Sequence, residues 1–215
     1  MRTAITKNTK LIMLCSPNNP TANSFDETEM ISLLEGYNGL LVVDEAYIDF
    51  SSHKGLVRFI ATYPNLVILQ TFSKAWGLAG LRLGIAYASE AIITILNKIK
   101  YPYNVNMMTQ QLVLEALNNV TAKDNWVFDI INQRNKLEKK LGTLSLVEKI
   151  YPSDANFILL RVKDAKQTYD YLVDNQIIVR DRSKVMQCDQ CLRITVGTAT
   201  ENDLLINALI AFDQQ

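Results

Sequence analysis

The sequence predicts an α/β protein: a partial, mostly parallel sheet with flanking helices, followed by a small α+β domain. Three observations carry that reading. The apolar runs LIMLCS, LLVVDEAY and LVILQTFS each have the length of a buried strand, and crossover-length segments separate them, as in the βαβ pattern of parallel pairing. Each run ends in polar residues, as strands do at the ligand-binding edge of an open α/β sheet. Beyond Gly142 the texture changes to shorter strand-like runs interleaved with two helices.

Residues 1–10 are polar and lead directly into LIMLCS. Pro17 and Pro20 then force an extended, sharply turned segment that holds Asn18 and Asn19 at the strand end. Ser24 is expected to cap a helix with Glu27 at the capping-box position, and Met30, Ile31, Leu33 and Leu34 give that helix an apolar face ending near 36–39. LLVVDEAY is the second strand, SSHKGLVRFIATYP the second crossover, LVILQTFS the third strand and LRLGIAYA a fourth. Residues 89–100 read as a helix that Pro102 ends, and 107–141 as two helices parted near Thr121. Short strands follow around LVEKIYP, ANFILLRV, IIVRD and CLRITVG, with helices at 165–175 and 201–212. The expected domains are a partial large domain over 1–105, linking helices over 106–141 and a small α+β domain over 142–215.

Composition narrows the function classes. The 215 residues, 48% of them hydrophobic, can bury a substantial core. Lys plus Arg equals Asp plus Glu at 22 each, so no basic field recommends nucleic acid and no acidic field a disordered tail. A small anionic substrate remains compatible, because it needs two or three local cations rather than a net charge. No apolar run approaches the roughly twenty residues of a membrane helix, and MRTAITKNTK lacks a signal-peptide core. Three cysteines with no framework spacing suit a reducing cytoplasm. Cys188 and Cys191 form a CxxC with neither a second pair nor a nearby histidine, a poor zinc site, so no metal is expected. His53, the single histidine, sits in a polar SSHK loop, which argues against a Ser-His-Asp hydrolase. Lys136, Lys139 and Lys140 read as a solvated helix face.

The chemistry centres on LVILQTFSKAWGLAGLRLGIAY. Lys74 falls just past the end of its strand, with Thr71 and Ser73 two apart beside it as hydroxyl donors for an oxyanion. Arg82 lies in an otherwise apolar run, where a cation is expected to need a fixed anionic partner. Upstream, Asp44 and Tyr47 end the second strand and Asn19 follows the first.

The segments SPNNPTAN, VVDEAYIDF and TFSKAWGLAGLRLG together resemble the pyridoxal-phosphate-dependent aminotransferases of fold type I, most closely their histidinol-phosphate aminotransferase branch. The similarity runs on through PYNVN, DANFIL, IIVRDRS and LRITVGT, nearly the whole chain. The resemblance implies that Lys74 is the amine that takes the coenzyme aldehyde and later moves the substrate proton. It assigns Asp44 to the protonated pyridine nitrogen, Tyr47 and Asn19 to the ring oxygen, and Arg82 with Thr71 and Ser73 to the coenzyme phosphate. Glu45 would point to the opposite side of the strand from Asp44. The fourth strand would run antiparallel. Arg193 matches the arginine that binds the substrate carboxylate in amino-acid-using relatives. Arg180 would join it on a phosphate dianion, with Arg182 an alternative on the same strand side. Ala22 stands where relatives usually carry glycine, so a positive φ there would cost about 1 kcal/mol.

The activity thus implied is transfer of an amino group between histidinol phosphate or imidazole acetol phosphate and 2-oxoglutarate or glutamate, in a cytoplasmic homodimer. Two alternatives stand beside it: a related aminotransferase for aromatic amino acids or another phosphorylated amine, and a catalytically silent fragment. The last arises because members of the resembled family carry well over a hundred residues ahead of LIMLCS, including further coenzyme contacts. The expectation is an N-terminally truncated chain with weak coenzyme affinity, whose four strands leave LIMLCS and LRLGIAYA as bare sheet edges.

Overall fold

The computed structural model describes residues 2–214, which form two compact units. The first comprises residues up to Pro17 together with Ser24–Asp124, the second Asn18–Asn23 together with Asn125–Gln215. The segment 106–141 is therefore divided between them, and the short turn after the first strand belongs to the second unit.

The first unit is built on a four-stranded sheet in the order β1 (Leu11–Cys15), β2 (Leu40–Asp44), β3 (Leu66–Thr71), β4 (Gly84–Ala88). The first three strands are parallel and β4 runs antiparallel to β3, as the resemblance implied. Alternation does the sorting. Leu41, Val43, Leu66 and Ile68 share one face and pack under helix α1 (Glu27–Glu35), whose Met30, Leu33 and Leu34 close that core. Asp26, not Ser24, caps α1, accepting from the Glu29 amide at 3.0 Å. The Phe25 amide is drawn instead to Ser16 Oγ at 3.0 Å, which keeps this stretch from joining the helix. The second crossover holds two short 3-10 turns, Ile48–Phe50 and Val57–Phe59. The edge strand β1 exposes Leu11 and Met13, at 48% and 64%. Helices α2 (Glu90–Ile99) and α3 (Met107–Leu117) follow, and the break before α4 (Val120–Leu141) falls at 118–119, just ahead of Thr121.

In the second unit an antiparallel sheet runs in the order β5 (Val147–Ile150), β6 (Phe157–Val162), β8 (Cys191–Thr195), β7 (Arg180–Asp181). Helices α5 (Ala165–Asp174) and α6 (Ala199–Asp213) pack on it with the last turns of α4, around Ile158, Leu160, Leu172, Leu192 and Leu209. Both helices start on side-chain caps, Asp164 for α5 and a Thr198–Glu201 capping box for α6. Among the described residues no helix is long and apolar enough to cross a membrane.

Candidate active site

Because β2 and β3 are parallel neighbours with Asp44 opposite Leu69, their carboxyl ends open on the same edge of the sheet. There Asp44, Thr71, Ser73, Lys74 and Arg82 line one depression of about 610 Å³, together with Gly84 of β4. The turn that presents Lys74 is locally determined. The Ser73 amide donates to Thr71 Oγ1 at 3.0 Å and the Gly77 amide to the Lys74 carbonyl at 2.9 Å. Gly77 holds φ at +66°, a conformation that glycine adopts without steric cost. Lys74 is half-buried, and its Nζ lies 5.1 Å from the centroid of the buried Tyr47 ring, a cation–π contact. Thr71 Oγ1 itself donates to the Leu83 carbonyl at 3.3 Å, so this hydroxyl is engaged in shaping the turn.

The two consecutive carboxylates of β2 and its following turn have opposite surroundings. Asp44 is partly exposed to the depression, and its Oδ1 accepts from the Ala46 amide at 2.9 Å, which fixes the plane of the group. Glu45 is 2% exposed on the far face, where it accepts from the Leu56 amide at 2.6 Å and from Gln70 Nε2 at 3.0 Å. Burial pushes the Glu45 carboxyl above the ordinary glutamate value, outweighing those hydrogen bonds and the nearby Arg58. Gly55, at φ +68°, gives it room: a Cβ there would stand 2.7 Å from Glu45 Oε2.

Arg82 departs from expectation. It is exposed, it precedes β4 rather than lying within it, and its Nη1 donates to the Ala79 carbonyl at 2.9 Å. Among the described residues no carboxylate forms a salt bridge with it. Its backbone is left-handed, φ 53° and ψ 40°, which ends the short 3-10 turn Ala79–Leu81 and turns the guanidinium back beside the depression. A non-glycine residue in this region carries strain of about 1 kcal/mol or more, a feature that clusters at ligand sites.

A second group of candidates gathers in the other unit. Arg180 of β7 stands directly opposite Arg193 of β8. Like charges at paired positions repel, which makes the pair a receptive seat for an anion. The Arg193 guanidinium lies 4.9 Å from the Phe157 ring centroid and donates from Nη1 to Asn19 Oδ1 at 2.7 Å. Asn19 thus stands with Arg193 in this unit. Arg182 lies past the end of β7, its amide bonded to the Cys191 carbonyl at 2.8 Å. Ala22, fully buried, has φ 66°, the positive value that its place in SPNNPTAN foreshadowed. Its carbonyl accepts from the Asp154 amide at 2.8 Å.

Cys188 and Cys191 are buried free thiols against Leu159 and Tyr151. No cluster of three or more His, Cys, Asp or Glu side chains suited to a metal ion occurs among the described residues. One structural group escaped the sequence reading. Lys123, in the first turn of α4, reaches Asp49 at 3.1 Å and Asp124 at 2.7 Å, and lies 5.5 Å from the Trp76 ring centroid. Nothing in the sequence signals these contacts, since its partners lie far upstream or are its own neighbour.

The chain matches the family described as aminotransferase class I and II over residues 1–209. It is 53% identical over 206 residues to a histidinol-phosphate aminotransferase of Cytophaga hutchinsonii, a match that covers 96% of this chain and 59% of that protein. Among solved structures it resembles the histidinol-phosphate aminotransferase of Sinorhizobium meliloti in complex with pyridoxal-5'-phosphate. That pair is 25% identical at a TM-score of 0.87, over 96% of this chain and 58% of the other. It also resembles the L-threonine-O-3-phosphate decarboxylase of Porphyromonas gingivalis, 28% identical at a TM-score of 0.83, over 100% of this chain and 68% of the other. The chain therefore spans about three-fifths of the length of the curated relatives it matches. With a family match that runs from residue 1 to residue 209 and takes in every strand of both sheets, the chain belongs to the aminotransferase class I and II family.

Proposed function

We propose that this chain carries the lysine-bearing site of a pyridoxal-phosphate-dependent aminotransferase that acts on histidinol phosphate and imidazole acetol phosphate, with glutamate and 2-oxoglutarate as amino partners. The observation that carries the reading is the meeting of Lys74 and Asp44 with Thr71, Ser73 and Arg82 around one depression at adjacent strand ends. That donor set fits the coenzyme: an amine for an aldehyde, a carboxylate for a protonated ring nitrogen, hydroxyls and a guanidinium for a phosphate. When bound, pyridoxal phosphate supplies an electron-accepting ring that eases loss of a proton from the substrate carbon bearing nitrogen.

Each residue then has a defined task. Lys74 Nζ accepts that proton and returns it, seated 5.1 Å from the centroid of the Tyr47 ring. Asp44 holds a proton on the ring nitrogen, with Oδ1 tied to the Ala46 amide and Oδ2 free to face the ring. Tyr47 donates to the ring oxygen. Asn19 Oδ1 accepts from Arg193, which leaves the Asn19 Nδ2 as a hydrogen-bond donor. Arg82, Ser73 and Thr71 bind the coenzyme phosphate, Thr71 by holding the turn as much as by direct contact. Arg180 and Arg193 bind the phosphate ester of the substrate. The reading includes a homodimer and a reducing cytoplasm, where three free thiols persist.

The test is to incubate the purified chain with pyridoxal 5'-phosphate, reduce with borohydride and map the labelled peptide. Label on Lys74 alone supports the assignment; label spread over surface lysines removes it. Amino transfer from histidinol phosphate in preference to phenylalanine fixes the substrate. A second reading, decarboxylation of a phosphorylated amino acid, draws on the 28% identity to the L-threonine-O-3-phosphate decarboxylase. Carbon dioxide release from threonine O-phosphate, without amino transfer, would establish it instead.

A further inference from the structure

Lys123 lies outside every motif named above, yet it touches both turns of the lysine site. The side chain is 15% exposed. Its Nζ bonds to Asp49 Oδ1 at 3.1 Å and Asp124 Oδ1 at 2.7 Å, and lies 5.5 Å from the centroid of Trp76. Partial burial by itself disfavours the charged amine, but the two carboxylates hold its pKa above the ordinary lysine value.

The position of these partners is what matters. Asp49 belongs to the 3-10 turn Ile48–Phe50, which Tyr47 begins. Trp76 belongs to the turn that presents Lys74, and it packs on Phe72 with ring centroids 5.7 Å apart. At one end the two turns already meet, through Lys74 Nζ over the Tyr47 ring. Lys123 joins them at the other end. The contacts form a closed circuit: Tyr47 to Asp49 along the chain, Asp49 to Lys123, Lys123 to Trp76, Trp76 to Lys74 along the chain, and Lys74 to Tyr47. Without Lys123 the circuit is open on the Asp49–Trp76 side, where Lys123 is the link.

We propose that Lys123 is a positioning residue that braces the Tyr47 turn against the Lys74 turn and thereby sets where the Lys74 amine sits over Tyr47. The claim rests on the reading of Lys74 as the amine that takes pyridoxal phosphate. A lysine suits the task because one compact charge can serve two carboxylates and a ring face at once. Displacements of about 1 Å at a reacting group can cost up to about 100-fold in rate, so a brace at one remove is expected to matter by roughly tenfold.

Two variants of the full chain test this: Lys123→Met keeps the stem and removes the charge, and Lys123→Arg keeps the charge. With pyridoxal 5'-phosphate as probe, the Met variant should label at Lys74 roughly tenfold more slowly in borohydride trapping, and the absorbance of the bound form should titrate at a different pH. The Arg variant should restore both. A purely structural role would lower the melting temperature and leave the titration midpoint where it was, which overturns the proposal, as does an Arg variant no better than Met. Amide hydrogen exchange without coenzyme gives an independent arm. Met at 123 should speed exchange across both 45–50 and 72–78, and unchanged exchange in either turn overturns the brace. If the unmodified chain takes no label at Lys74 while exchange responds as stated, the coenzyme reading falls and the brace stands.

Discussion

The two groups of candidate residues are built by different means. Around Lys74 the functional side chains come from the last residues of strands and the turns just past them, and short-range hydrogen bonds fix them: Ser73 to Thr71, Ala46 to Asp44, Gly77 to Lys74. Around Arg193 they come from within strands and from a distant loop, and pairing registers fix them: Arg180 opposite Arg193, with Asn19 174 residues away in sequence from its partner. The first arrangement is shaped within each turn by local bonds, and the β2–β3 pairing brings the turns to one edge. The second exists only once β7, β8 and the Asn18–Asn23 segment are assembled. Mutations in the first should therefore damage chemistry, and mutations in the second affinity.

The sharpest test is Lys74→Ala. It should abolish specific pyridoxal labelling and lower amino transfer on the order of 10³-fold or more, while far-UV circular dichroism stays unchanged. An active Ala variant would break the distinction at once. Next is the arginine pair. Arg193→Ala should raise KM for histidinol phosphate by about 10- to 100-fold, the worth of a charge-assisted hydrogen bond, with kcat little affected. Arg180→Ala should do the same for histidinol phosphate but leave phenylalanine untouched, because only the phosphate needs the second cation. Equal losses on both substrates would merge the two roles.

Glu45→Gln probes the face opposite the depression. The Glu45 pKa is raised in the folded chain, so the folded state binds its proton more tightly than the unfolded state does. The stabilising effect of that proton is complete below the ordinary glutamate pKa and is lost as pH rises through the higher folded value. Urea melts of the parent chain should therefore lose stability relative to the Gln variant on going from acid toward neutral pH. A constant difference across that range would mean that burial is not what controls this carboxyl. The smallest effect is expected for Ala22→Gly. Relief of a left-handed alanine is worth about 1 kcal/mol, and loss of a buried methyl costs about 0.8 kcal/mol. The net change in unfolding free energy should stay within about 0.5 kcal/mol of zero.

Much of this was legible before any coordinates. Short apolar runs placed the strands found among the described residues, and alternation of side chains along a strand separated Asp44 from Glu45. Where the reading slipped, a competing local partner was the cause. Ser24 looked like a cap, but the chain around it is drawn toward Ser16, and Asp26 takes the helix start. Arg82 looked buried within a strand, but a left-handed residue ends a 3-10 turn there and exposes it.

By itself the sequence determined the order of strands and helices, the lysine past a strand end and the acid on the neighbouring strand. All of these are short-range patterns, written in periodicity and in turn chemistry. Only the tertiary structure decided that Arg180 faces Arg193, that Asn19 bonds to Arg193, that Gln70 and Leu56 hold Glu45 from the far face, and that Lys123 spans two turns. Those contacts join residues far apart along the chain. Packing and strand register choose them, and no local pattern of residues records either.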